Sequence, residues 1–267
     1  RKPYQTGFAG QGSYSYGETY KIFDGTSSQN SSQWRNIQTV NGKNSRIPVS
    51  RSDFALGNRI SANMSYELRW NDNVKTTFGL FYEGFQGQPY SFNYREGRDL
   101  LNDDSRDNAL MYIPRNAAEI SLSGDAAEQA EQWNRLDTFI NSIEYLKENR
   151  GKYAERNAVR GPWSHIVDLK VLQDFKDNFG GEKYHTFHIS ADIFNFTNLL
   201  NKEWGKRNFI RNEVSPLQTV STGDTPVFTI NDGVVNPDGT PNIEELDDFG
   251  IASSRWQAQL GLRYIFN

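Results

Sequence analysis

Apolar and polar residues alternate strictly along several stretches of this 267-residue chain. In "RISANMSYELRW" (59–70), Ile60, Ala62, Met64, Tyr66, Leu68 and Trp70 fall on one side, with Arg59, Ser61, Asn63, Ser65, Glu67 and Arg69 on the other. Successive side chains of a strand point to opposite faces, so this period of two predicts a strand with one apolar face. "NDNV" (71–74) reads as a tight turn, after which "KTTFGLFYEGFQGQPYSF" returns with Phe78, Leu80 and Tyr82 on one face. A second hairpin repeats the plan. "SHIVDLKVLQDF" (164–175) carries Val167, Leu169, Val171 and Phe175 opposite Asp168, Lys170 and Asp174, and "YHTFHISADIFNF" (184–196) sets Phe187, Ile189, Ala191 and Ile193 against His188, Ser190 and Asp192. The closing "RWQAQLGLRYIFN" (255–267) alternates in the same way, and a Gly-, Ser- and Tyr-rich stretch over about 6–23 completes six predicted strands.

The segments between them fall into two sizes. Residues 71–74 and about 176–183 are short turns, whereas about 24–58, 93–163 and 197–254 are long. Long connections are uncommon in compact domains and are usually functional. Because short and long alternate, all three long connections are expected at one edge of the sheet. The longest contains "DAAEQAEQWNRLDTFINSIEYLKENRG" (125–151), in which Trp133, Leu136, Ile140 and Ile143 form a helical stripe. Asp125 with Glu128 matches a capping box and Gly151 a stop signal. The last holds a Pro-Asp-Gly turn within 236–241 and a predicted small hairpin near 225–232.

Composition narrows the chemistry. There is no cysteine, which excludes thiol catalysis and disulfides. A net charge of −4 argues against a nucleic-acid partner, which would need a basic surface. Mean hydropathy of −0.75 resembles that of a water-soluble protein, and no apolar run is long enough for a membrane helix. A transmembrane barrel escapes both tests, because lipid-facing and lumen-facing residues alternate. Aromatic residues near strand ends (Trp70, Tyr82, Trp256, Tyr264, Phe266) fit the interfacial girdles of such a barrel.

"DIFNFTNLLNKEWG" (192–205) and the terminal strand resemble the C-terminal end of a TonB-dependent outer-membrane receptor. Asn195, Asn198, Leu199, Leu200, Asn201, Lys202 and Trp204 match the family stretch that closes the penultimate strand, and Phe266 supplies the terminal aromatic, although Asn267 follows it. Residues 13–35, 152–175 and 255–267 are similar to the Oar-like receptors of Bacteroidota, which carry a carboxypeptidase-regulatory-like domain. The resemblance spans essentially the whole chain. It implies that 1–267 is one partial domain: the C-terminal part of a large antiparallel up-and-down barrel, with the plug and earlier strands upstream. It also implies an outer-membrane location, extracellular long loops and a periplasmic C-terminus. The expected function is plug-gated import of a captured ligand, with peptides or proteins as candidates. Implied partners are outer-membrane lipid, the chain's own plug, a TonB-type energy-coupling protein, the barrel assembly machinery (through Tyr264 and Phe266) and a surface lipoprotein.

On the resemblance, Arg59, Glu67, Arg69, Glu83, Asp168, Lys170, Asp192 and Arg263 are the expected lumen-facing residues. For any one of them the plainer reading is a charge of a wet, ion-paired wall facing the plug; the functional one is to line the passage or grip the plug. Tyr94, Tyr112, Trp133, Trp163 and Trp204 are candidates for ligand contact or for packing between loops. His185 and His188, three apart on a strand, point to opposite faces and do not make a metal pair. Asp232, Asn236 and Asp238 form an oxygen-rich calcium candidate without EF-hand spacing; a solvated loop is the plainer reading. No G-x-S-x-G elbow and no phosphate loop with its lysine occurs, so neither enzymatic activity nor a cofactor is expected. Two other classes fit the pattern: a passive pore or adhesin barrel, and a soluble all-β carbohydrate-binding module.

Overall fold

The alternating stretches become one sheet in a computed structural model that describes residues 7–25, 27–95, 97–248 and 254–266. In chain order its elements are β1 (Phe8–Gly17), β2 (Tyr20–Lys21), α1 (Asn30–Arg35), β3 (Ser50–Arg51), β4 (Gly57–Arg69), β5 (Val74–Gln86), β6 (Pro89–Arg95), α2 (Ala126–Ser142), α3 (Glu144–Glu148), β7 (Val159–Arg160), β8 (Trp163–Asp177), β9 (His185–Phe194), α4 (Phe196–Leu200), β10 (Asn208–Ile210), β11 (Glu213–Ser221), β12 (Val227–Ile230), β13 (Glu244–Leu246) and β14 (Gln257–Phe266). Strand outweighs helix 44% to 14%, so the fold is mostly β.

The six long strands pair antiparallel in the order β1-β4-β5-β8-β9-β14. This is an open up-and-down sheet. Among the described residues it does not close, and the outer edges of β1 and β14 have no strand partner. The register sorts the side chains as the alternation requires. Met64, Leu80, Leu169, Ile193 and Ala258 form one cross-strand row, while Lys170, Asp192 and Gln259 lie in a row of the opposite face. Neither face has a second layer packed on it as a core. No apolar side chain of the six strands is among the buried residues, and Leu260 and Leu262 are 84% and 75% exposed.

The long connections all leave from one edge of this sheet and build a separate body above it. There β12-β11-β6-β7 form a mixed sheet in which β6 and β11 run parallel. The expectation that the return strand runs through residue 92 is corrected here. β5 stops at Gln86, and the chain turns out of the long sheet before Pro89 begins β6. Gly87 permits this exit, because a Cβ on it would lie 2.7 Å from the backbone of Gly161 on the neighbouring connection. The predicted first strand is likewise shorter, ending at Gly17 before the separate β2; residues 1–6 lie outside the described set.

The body formed by the loops holds the hydrophobic core. Phe92, Met111, Ile113, Leu136, Phe139, Ile140, Leu146, Leu217 and Val235 are fully buried. Phe92 meets Phe139 edge-on at 6.3 Å, and Tyr94 stacks on Phe228 at 4.5 Å. The helical stripe is found where expected, with Trp133 and Ile143 packed against the core. Asp125 and Glu128 make both halves of the capping box. The helix does not run to 151, however. Ile143 adopts an extended backbone that ends α2, and the short α3 follows in a new direction. The predicted hairpin near 225–232 appears as β12, paired with β11. Glu18, just past β1, clamps this body to the sheet edge by accepting from Arg51 at 2.9 Å and Arg160 at 3.0 Å.

This division sets a contrast in mutational cost. Leu136→Ala leaves a cavity in a sealed core and should destabilise the loop body by about 2–5 kcal/mol. Leu260→Ala, on an open face, should change the stability of the detergent-solubilised protein far less. Denaturation followed by limited proteolysis of each variant checks both.

Candidate ligand-binding cleft and polar sheet face

Beginning with the sheet, the register places all eight charged candidates on one face: Arg59, Glu67, Arg69, Glu83, Asp168, Lys170, Asp192 and Arg263. Most of them are already paired. Arg59 meets Glu83; Glu67 accepts from Arg69 at 2.7 Å and Lys75 at 3.2 Å; Lys170 bonds Asp192 at 2.6 Å. Lys75 also reaches Asp174 at 3.5 Å, and His188 joins the same carboxylate. Asp168 has another task. Its Oδ1 accepts the backbone N–H of Asn195 at 2.8 Å, where a left-handed turn ends β9. Asn195 and Asn198 hold the rest of that turn through the carbonyls of Gly205, Lys202 and Trp204, and Asn198 receives Trp256 N–H at the start of β14. The asparagine-rich stretch is thus a fastener for the sheet edge.

On the apolar face, aliphatic rows separate two aromatic groups. Trp163, His165 and Tyr82 stack at the loop edge. Phe179, His185, Tyr264 and Phe266 gather at the short-turn edge, with Lys183 over the Phe266 ring. His185 and His188 do point to opposite faces: the first contacts Tyr264, the second Asp174.

The loop body contains a cleft that pattern reading of the chain did not single out. Three adjoining cavities of about 1180, 450 and 640 Å³ follow one another, all touching Asp107. The middle one is lined by Asp24, Asp53, Asp107 and Glu213 against Arg106 and Arg156, and the largest adds Arg35 and Arg98. Residues from three separate connections and one strand start meet here, so nothing in local spacing announces them. The run of acids at 99–107 was the one available signal.

Glu213 begins β11, open to the cleft but surrounded by protein on its other sides. That enclosure, with the charges of Asp107 and Asp53, raises its pKa above the ordinary 4.5, while hydrogen bonds from Gln38 and Asn93 oppose the rise. Burial lowers the pKa of Arg156, opposed by Asp24 and Asp53. Arg156 donates from both terminal nitrogens to the carbonyls of Ile22 and Lys21, and its Nε has no acceptor among the described residues. The cleft therefore sets one carboxyl that is costly to ionise, Glu213, near a buried guanidinium whose Nε has no acceptor among the described residues.

The aromatic candidates separate by surroundings. Tyr94 is core, Trp133 packs against it, and Trp163 belongs to the apolar sheet face. Tyr112 packs on Tyr153 and donates to Glu119, whereas Trp204 stays 54% exposed. In the calcium candidate, Asp232 accepts from Arg135 at 2.7 Å, and Asp238 accepts from the N–H and hydroxyl of Thr240. The amide nitrogen of Asn236 donates to the Thr240 hydroxyl. Among the described residues no group of three or more His, Asp or Glu side chains is placed to hold a metal ion.

No protein-family model, curated protein or solved structure matches this chain.

The raised Glu213 pKa has a defined sign. Stability tied to the protonated carboxyl is fully present below the unfolded value near 4.5 and is lost as pH rises through the higher folded value. Glu213→Gln should therefore melt higher than wild type at pH 7, with the gap closing near pH 4. Melting curves at the two pH values test this; a gap of equal size at both would remove the ionisation argument.

Proposed function

We propose that this chain is the C-terminal portion of a TonB-dependent outer-membrane transporter, whose loop body captures a ligand for passage through a plugged lumen. One observation carries the reading: the six-stranded sheet leaves an aliphatic band between two aromatic groups uncovered, while its other face is ion-paired. Such a band is stable against hydrocarbon and a liability in water. The strands are 10 to 15 residues long, and about 9–11 tilted residues suffice to cross a bilayer. The sequence resemblance supplies the transporter class, the upstream plug and the coupling to a periplasmic energy-transducing protein.

In this reading the apolar face meets outer-membrane lipid, the charged face lines the lumen, and the loop body is extracellular. The cleft at Glu213 and Arg156 is the capture site, with peptides or proteins as candidate ligands. The chain's own residues bind and orient; movement of the plug supplies passage.

Substitutions on the two faces separate this proposal from a soluble module. Leu262→Lys should cost about 2–4 kcal/mol if the position lies near the bilayer midplane and should lower recovery in the membrane fraction. Gln259→Lys, on the polar face, should leave recovery near wild type. Flotation of native membranes with immunodetection measures both. Recovery of the wild-type chain in the detergent-free soluble fraction would sink the membrane reading.

A further inference from the structure

One wall of the largest cavity is a loop whose acids shape the loop itself. Asp99 accepts the backbone N–H of Asp103 at 2.9 Å and that of Asp104 at 2.7 Å, and Asp107 accepts that of Gly97 at 3.1 Å. Asn102, Asp104 and Asp107 adopt the left-handed backbone, which Asn and Asp tolerate better than other side chains, and the chain turns back on itself there. The buried Lys43 holds the loop from behind, through its backbone N–H to Asp103 at 2.7 Å and its ammonium to Ser105 at 3.1 Å.

That closure brings two arginines together. Arg98 and Arg106 each lie one residue inside the hydrogen bond between Gly97 and Asp107, and both line the cavity. Arg35, in the last turn of α1, lines it too. All three are exposed, and none forms an ion pair among the described residues. Arg35 uses its Nε alone, on the carbonyl of Ser31 at 3.3 Å. Elsewhere in the loop body arginines meet acids: Arg51 and Arg160 at Glu18, Arg135 at Asp232, Arg150 at Asp137. Of the acids in the cavity lining, Asp99 and Asp107 are engaged by N–H groups as described, which leaves Asp104 to set against three guanidinium forks.

We propose that this cavity of about 1180 Å³ binds an acidic peptide segment, whose Asp or Glu carboxylates are taken by Arg35, Arg98 and Arg106. A guanidinium presents parallel N–H donors that match the two oxygens of a carboxylate. The side-chain amides of Asn36 and Gln218 line the same space and have no hydrogen-bond partner among the described residues. Each offers a donor and an acceptor to a peptide main chain. No aromatic side chain belongs to the lining, so a sugar ring would find no face to stack on, which favours a peptide over an acidic glycan. The assignment rests on the cleft being the capture site and gives its ligand a charge; it does not depend on the membrane location.

The test is fluorescence anisotropy of a fluorescein-labelled hexapeptide of alternating Glu and Gly, added to the detergent-solubilised full chain. The same peptide with Lys in place of Glu is the control. The acidic peptide should bind and the Lys peptide should not, and binding should weaken about tenfold between roughly 0.05 and 0.5 M salt. Arg98→Glu combined with Arg106→Glu should weaken it by about tenfold or more. Arg46→Glu, at an exposed arginine outside the cleft, should stay within about twofold of wild type. Arg98→Lys combined with Arg106→Lys keeps the charge and loses the fork, so it should fall between these two. Melting temperatures equal to wild type show that a variant has kept its fold. Binding of the Lys peptide as tight as that of the acidic one, binding of neither, or undiminished binding in the double Glu variant would overturn the inference. Displacement of the peptide by an equal concentration of oligogalacturonate would overturn it in favour of an acidic glycan. Flotation reports separately: a soluble chain that binds the acidic peptide sinks the membrane reading alone, and a membrane-bound chain that does not bind it sinks this inference alone.

Discussion

A single layer of six strands that buries neither of its faces is the condition under which everything else in this protein must be understood. Sheets are ordinarily stabilised by covering at least one face. Here the rows through Leu80, Leu169, Ile189 and Leu260 have perfect cross-strand partners and nothing above them. Backbone hydrogen bonds hold the strands in register, but among the described residues nothing covers the apolar face. Among the described residues the outer edges of β1 and β14 have no strand partner, which is a parallel demand for pairing. In the proposed transporter, lipid would answer the first demand and further strands of a larger barrel the second, which is why the two needs lead to the same proposal.

The loop body follows from that condition. With no apolar layer available in the sheet, long connections lying at its edge must supply their own. They do so by folding 89–95 and 213–221 into a parallel pair and laying α2 across the result, so that Phe92, Phe139 and Leu217 share one core. The parallel pair is a product of distance along the chain: its strands belong to different connections and are joined through the whole second hairpin of the sheet. A contact so non-local ties two loops into one unit, which Glu18 then anchors through Arg51 and Arg160.

How much of this was legible from the sequence divides along the same line. Period-two alternation located five of the six long strands, because a register error would move Leu169 or Ile193 to the charged face; the first was read from its Gly-, Ser- and Tyr-rich composition instead. The capping box at Asp125 and Glu128 was readable because it is local. The mixed sheet was not, since β6 was read as a continuation of β5; Pro89 and the glycine at 87 were the only hints that the chain leaves. The eight charged residues of the polar face were legible as a set because alternation alone fixes their side. Glu213 and Arg156 were not, because their significance lies in how the surrounding protein encloses them and in neighbours drawn from 24–53 and 93–107.

The two charged regions differ in a way that separates wall from site. On the sheet, charges meet in register: Lys170 faces Asp192, Arg59 reaches Glu83, and Lys75 bridges Glu67 and Asp174. A surface of opposite charges paired this way presents little net field. In the loop body burial lowers the pKa of Arg156 while Asp24 and Asp53 oppose the change without an ion pair to it, and Glu213 is raised by desolvation first and by Asp107 and Asp53 after it. Ionisation perturbed in that way is found where a ligand binds or where the surrounding fold enforces it. Arg156 belongs to the second kind: its terminal nitrogens donate to the carbonyls of Ile22 and Lys21, and its Nε, shut off from solvent, has no acceptor among the described residues.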